Sequence, residues 1–262
     1  FVNLHGHTGF SVNDGLSPPG EHFDFAFENG LDAMAITEHG HMNSYVYAML
    51  HAKKMAKKGL KFKYNPGVEF YLNPDLKLWK KEYDEKALTK KVKKEVNEET
   101  VTIENEDETK SNDVKKKDPL KRRHHLIVIP KTEKGLNNLF TLVSLSFKDG
   151  FYKFPRIDYD LLKTYGEDLI VSSACCGGNL SFDVFSEFPE LGFNSFHPNL
   201  VQNDPMKLKN ILQRMENSLD RVVDAVGFEN AFIELQFNKL GAQHLANYCF
   251  LKLAEKTGVK LI

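Results

Sequence analysis

Apolar positions along the chain come in short runs that alternate with longer stretches of helical spacing. Phe1 to Leu4 and Asp32 to Ile36 read as buried strands, while His22 to Asn29 and Tyr45 to Lys58 carry the i, i+3, i+4 pattern of helices closed by Gly30 and Gly59. Lys61 to Tyr64 is a third strand candidate, leading into Pro66-Gly67-Val68-Glu69. The order resumes after a break: His125 to Ile129 as strand, Gly135 to Phe147 as helix, Asp168 to Ser172 as strand, Met206 to Val226 as a long amphipathic helix. Ala231 to Phe237 reads as strand, Gly241 to Thr257 as helix, and Val259 to Ile262 as the opening of another strand. Repeated strand-then-helix order predicts an α/β fold around a mostly parallel sheet, open or closed.

The break runs from Asp75 to Arg123, where 28 of 49 residues are charged, 15 basic and 13 acidic. It reads as an inserted surface segment of residues 75–123. Lys86 to Glu99 has the composition of a solvated helix, and Asn97 to Lys117 has too little to bury and is expected to be disordered. Its lysine clusters invite a nucleic-acid reading, but the two signs nearly cancel, which favours a solvated loop. The whole chain has a formal charge of -1, with 41% hydrophobic and 27% charged residues among 262, which fits one soluble domain and excludes binding to nucleic acid by bulk charge. Three cysteines, two of them the neighbours Cys175 and Cys176, do not make a secreted disulfide framework, so a reducing cytoplasm is expected. No apolar run reaches the ~18 residues that would span a bilayer, and no membrane partner is expected.

The chemistry gathers near strand ends. His5 and His7 lie one residue apart, so in a strand they share a side and can share an ion. Asp14 follows in the next loop, and imidazole with carboxylate suits zinc, iron or manganese. Thr37-Glu38-His39-Gly40-His41 ends the next strand, and in parallel α/β folds active-site groups collect at such ends. Glu69, flanked by Val68, Phe70 and Tyr71, is a carboxylate in an apolar stretch, and must be paired, protonated or bound to metal if buried. His124-His125 opens a further strand and Ser172-Ser173-Ala174-Cys175-Cys176-Gly177-Gly178 closes another. Each group has a plainer reading taken alone: a polar loop, an edge glutamate, a small buried thiol. No P-loop, GxGxxG or GxSxG element is present.

Taken in order, FVNLHGHTGFSVNDG, AITEHGH, PGVEFY, HHLIVIPKTEKGLNNL, KDGFYKFPRID and LIVSSACCGG resemble the polymerase and histidinol phosphatase (PHP) domain that begins the alpha subunit of bacterial or phage replicative DNA polymerase III. The resemblance implies a distorted (β/α)7 TIM-like barrel of the PHP type over residues 1–262, holding two or three divalent ions of zinc, manganese or iron, with magnesium admissible. It implies His5, His7, Asp14, His39, Glu69, His125 and Cys175 as ligands, with Cys175 where other branches have histidine. Glu38, where the family usually has aspartate, is expected to support the ligands rather than bind the ion. The family's last motif, an Asp-x-His pair after the final barrel strand, is expected beyond Ile262.

The activity implied is metal-dependent hydrolysis of a phosphodiester, as in 3′-5′ proofreading at a single-stranded DNA end, with no catalytic residue apart from the ligands. The partners implied are DNA, the remaining polymerase domains of the same subunit, and a proofreading or clamp protein. Two other readings remain open at this point: a metal-stabilised structural or partner-binding module without turnover, and a small-molecule phosphatase.

Overall fold

The computed structural model describes residues 2–99 and 119–262. Among them, one seven-stranded sheet has the order β1-β2-β3-β5-β6-β7, with β4 on the far part of β2. The strands are β1 Ala33–His39, β2 Lys63–Leu72, β3 His124–Pro130, β4 Arg156–Ile157, β5 Leu169–Ser172, β6 Ala231–Ile233 and β7 Lys260–Leu261. The first residues lie alongside β1: Asn3 bridges Met34, Ala35 N donates to Asn3 O at 2.7 Å and Thr37 N to Gly6 O at 2.8 Å. The sheet curves until His5, at one end of this order, meets Glu234, just past β6, at 2.8 Å. This is the distorted, TIM-like α/β arrangement expected, with one strand reversed. All strand pairs are parallel except those of β3, which is antiparallel to both β2 and β5.

Alternation along the strands sorts side chains into two layers. Ala35, Ile127, Ile129 and Ala174 pack with Leu4 on the concave side. Val68, Phe70, Leu72, Leu126 and Val128 face outward onto a larger core shared with α4 (Glu133–Asp149) and with the helices Pro205–Val226 and Gly241–Thr257. Met34 and Ile36 face α1 (Pro19–Glu28) and α2 (Tyr45–Lys57) through Phe23, Ala48 and Met55. The helix at 241–257 begins and ends where the sequence predicts.

Three differences have physical causes. β2 does not stop at Tyr64 but runs through Pro66 to Leu72, so Glu69 sits inside a strand. Pairing with β3 begins only at Val68, leaving β2 an edge on that side at Pro66, where a missing N–H is tolerated. β6 ends at Ile233, four residues short of the expected strand, because Glu234 and Gln236 turn to hydrogen bonds around His5. The short helices α5 (Tyr159–Tyr165) and α6 (Asn179–Phe185), each of only seven residues, give too little periodicity to be read.

In the charged segment, α3 (Leu76–Glu99) starts ten residues ahead of the expected Lys86. Its first turns are held down: Leu76 and Trp79 are buried with Leu120, and Trp79 Nε1 donates to Leu120 O at 3.0 Å. Most of the expected disordered stretch, residues 100–117, lies outside the described residues. Among the described residues, no helix is long and apolar enough to cross a membrane.

Candidate metal centre

His5 and His7 flank a glycine that lets their segment touch β1. A Cβ at Gly6 would stand 2.8 Å from Met34 Cε and 2.9 Å from Ala35 O, so a larger residue would push both imidazoles off the sheet. In the β1–β2 register His39 is opposite Glu69, which places both on the concave face. His125 arrives from the reversed strand β3. It pairs with Tyr71, two residues past Glu69, and so lies at the same edge of the sheet although it begins its strand. Cys175 comes from the turn after β5, closed by His125 N donating to Gly177 O at 2.8 Å.

All seven residues expected as ligands meet here. Three groups have donor atoms within 4.8 Å of one another: His5, His7 and Glu69; His7, Asp14 and His39; Glu69, His125 and Cys175. Glu69 and His7 are each common to two groups. The Glu69 carboxylate is fully buried, and around it stand His125 Nδ1 at 2.5 Å, His39 Nδ1 at 2.6 Å, His7 Nε2 at 3.2 Å and His5 Nε2 at 3.6 Å. Yet among the described residues neither Glu69 oxygen, nor His39 Nδ1, has a partner of hydrogen-bond geometry. Such close approach without hydrogen-bond alignment is what lone pairs aimed at a common centre give. Two ligands on one tetrahedral ion with ~2.0 Å bonds lie about 3.3 Å apart, which the His7 and His5 separations from Glu69 approach, while His39 and His125 stand closer and would have to draw back to share an ion with it. The donor set of imidazoles, carboxylates and a thiol fits a borderline-soft divalent ion.

The second nitrogens of His5 and His7 fix which face is free. His5 Nδ1 donates to Glu234 Oε1 at 2.8 Å, leaving Nε2 toward Glu69. Ser11 Oγ gives its single proton to the Glu38 carboxylate, so it accepts from His7 Nδ1 at 3.2 Å and from His39 N at 3.2 Å. His7 Nε2 is therefore unprotonated when the ring is neutral, and faces the cluster.

Glu38, adjacent to His39 in a strand, faces the other way. It accepts from Thr8 Oγ1 at 2.5 Å, Thr8 N at 3.2 Å and Ser11 Oγ, fixing the loop that carries His7 and Asp14. His124, next to His125, likewise leaves the site. Its ring centre lies 4.4 Å from that of Phe182, and burial with the nearby Arg122 and His125 charges pushes its pKa down to about 4. His41 is half-buried, and burial lowers its pKa.

Without metal the cluster balances its charge with protons. Burial disfavours a charged His5, but the hydrogen bond to Glu234 and the nearby Glu69 carboxylate outweigh it and raise the pKa to about 10. Burial pulls Glu69 up, and four imidazoles together hold it far below the usual carboxylate range. The Cys175 thiol, buried and near Glu69, is pushed up to about 12. A bound cation would reverse that, since a coordinating thiol is deprotonated.

Glu234 was not among the residues singled out from sequence. It is buried, and besides His5 it accepts from Ser172 Oγ at 3.0 Å and from Gln236 Nε2 at 2.7 Å. Its signal was present: AFIELQF sets a carboxylate in an apolar strand just as GVEFY does.

The fold and this arrangement define a PHP-type α/β domain with a clustered candidate metal centre. The chain belongs to the PHP domain family, whose model matches residues 3–238. It is similar along its whole length to DNA polymerase III subunit alpha of Aquifex aeolicus (31% identical, 18% of that protein covered) and of Chlamydia pneumoniae (27%, 18% covered). The chain thus spans about a fifth of the length of these relatives. A crystal structure of a proposed metal-dependent phosphoesterase from Bifidobacterium adolescentis aligns with 83% of this chain and 50% of its own, at 12% identity and a TM-score of 0.30, too distant to inform the site.

Proposed function

We propose that this chain is a metal-dependent phosphoesterase domain of a DNA polymerase III alpha-type subunit, cleaving the terminal phosphodiester at the 3′ end of single-stranded DNA. The observation that carries the reading is Glu69, a fully buried carboxylate without a hydrogen-bond donor among the described residues, ringed by four imidazole nitrogens. His5, His7, Asp14, His39, Glu69, His125 and Cys175 would hold two or three divalent ions. Ions so held would bring the pKa of water toward neutrality and neutralise phosphate oxygens. The chain's own residues supply the frame. Glu69 ties neighbouring positions together, Glu234 and Ser11 hold the His5 and His7 tautomers, and Glu38 fixes the loop.

Asp14, with its side chain 54% exposed, keeps one side of the cluster open to solvent. An open side favours turnover, since purely structural metal sites are closed. The alternative, a metal-stabilised module that binds other polymerase domains, a proofreading or clamp protein, or DNA without cleaving it, is supported by the same buried frame, which would serve stability equally well. Protein purified in the longest form its gene encodes, loaded with Mn²⁺ or Zn²⁺, is expected to shorten single-stranded DNA from its 3′ end, and His7→Ala to abolish this. Activity surviving that substitution refutes the reading. Loss of melting temperature on chelation with no cleavage of any phosphoester selects the structural module.

A further inference from the structure

The cluster contains imidazoles and carboxylates, and among the described residues no lysine or arginine forms an ion pair with Asp14, Glu69 or Glu234. A guanidinium nevertheless stands one ring away. Arg123, two residues before His125, has its Cζ 4.0 Å from the centre of the Phe154 ring and 5.4 Å from that of Tyr71. Tyr71 in turn packs against His125, with ring centres 5.4 Å apart, and lies parallel to His39 at 6.1 Å. Arg123 therefore stands one aromatic ring away from the candidate ligands His39 and His125.

Two further features separate Arg123 from an ordinary surface arginine. Its Nε is buried without an acceptor among the described residues, and none of the ion pairs among those residues includes it. Phe154 and Tyr71 stack on the guanidinium while leaving its charge unmatched by any carboxylate among the described residues. Arg156 donates to the carbonyls of Arg122, Tyr152 and Phe154 and also keeps one buried nitrogen without an acceptor among the described residues, but it is fully enclosed, where no substrate can reach it. A planar guanidinium stacked on aromatic rings and paired with no carboxylate among the described residues is the side chain best suited to a phosphate's non-bridging oxygens, which it can grip in pairs.

We infer that Arg123, held by Phe154 and Tyr71, is the phosphate-binding residue of this site, gripping a non-bridging oxygen of the substrate's phosphate beside the metal cluster. This rests on the phosphoesterase reading. It explains why the polypeptide commits a cation to a partly buried aromatic cradle beside a centre that needs none for its own balance. Lysine at 123 would keep the charge but lose the paired grip and most of the stacking.

The test uses inorganic phosphate as the probe on metal-loaded protein, with metal content and melting temperature measured on every variant. Phosphate affinity is taken from calorimetry and from competition against hydrolysis of bis(p-nitrophenyl) phosphate. Arg123→Met is expected to keep its metal and weaken phosphate binding roughly 10- to 100-fold, the range for a lost hydrogen bond to a charged group. Arg123→Lys is expected to fall between it and the wild type. Because Arg123→Met preserves apolar contact with the rings, unchanged phosphate affinity in a folded, metal-loaded variant overturns the inference while the phosphoesterase reading stands. Should Arg123→Met fail to fold, Arg123→Lys decides alone, and affinity equal to wild type overturns the inference. Wild-type protein that holds metal but neither binds phosphate nor cleaves any phosphoester overturns the reading and the inference together.

Discussion

Glu38 and Glu69 sit on neighbouring strands one register step apart, both buried to within 1% of full enclosure, and do opposite things. Glu38 faces outward and is satisfied by two hydroxyls and a backbone N–H, which turns a costly buried charge into a clamp on residues 8–11. Glu69 faces the concave side and meets only imidazole nitrogens, in an arrangement that satisfies none of its lone pairs by hydrogen bonding. Burial alone therefore says little about the task of a carboxylate. The identity of the donors around it decides whether it braces the fold or awaits a cation.

The largest expected effect falls on metal content. Glu69→Gln should lower metal affinity by more than about 100-fold, beyond the 10- to 100-fold usual for residues that only orient ligands, while Glu38→Gln should leave the ions largely in place. Elemental analysis after gel filtration measures both, and equal loss in the two variants would erase the contrast. Next comes stability in chelator. Glu38→Ala strands Thr8 N–H and the Thr8 and Ser11 hydroxyls and should cost about 2–5 kcal/mol in denaturant melts. Glu69→Gln should cost less there, because the imidazoles that balance its charge in metal-free protein can release their protons, whereas nothing replaces the acceptor that Glu38 provides. Adding metal should invert the order.

Glu234→Gln should sit lower, weakening metal binding by about 10-fold through a mis-oriented His5. Titration calorimetry of the metal would detect it.

The pH dependence sharpens the same contrast. In metal-free protein the folded His5 pKa, about 10, lies above its ordinary value of 6.5. The stability it contributes is fully present below pH 6.5 and is lost as pH rises through 10. Metal needs the unprotonated ring, so ion binding should release a proton and protein loaded with metal should lose less stability over that window. Melts from pH 7 to 10 with and without chelator would show it. The smallest effect is expected at His51, whose Nε2 bonds Asp24 at 2.8 Å outside the donor groups: His51→Ala should leave metal content unchanged.

Much of this contrast could be read along the chain. Alternation puts His5 and His7 on one side and separates Glu38 from His39, and the apolar flanks of Glu69 mark it as a buried charge needing a partner. The same logic applied to Glu234 would have named it, but its strand lacked a neighbouring histidine to draw notice. Leu76 and Trp79, embedded among lysines, gave no periodic apolar face, so the anchoring of the charged segment against Leu120 was illegible. Arg123 looked like one basic residue in a basic run.

The sequence by itself determined the residue types, their alternation within each strand and their clustering near strand ends, because these depend on local geometry of period two. Only the tertiary structure decided that they share one space. The reversal of β3 carries His125 to the same edge as Glu69, the β1–β2 register sets His39 opposite Glu69, and curvature brings Glu234 across to His5. Pairing direction, register and curvature are set by contacts between residues far apart in the chain, and a one-residue slip in any of them would turn a ligand to the opposite face.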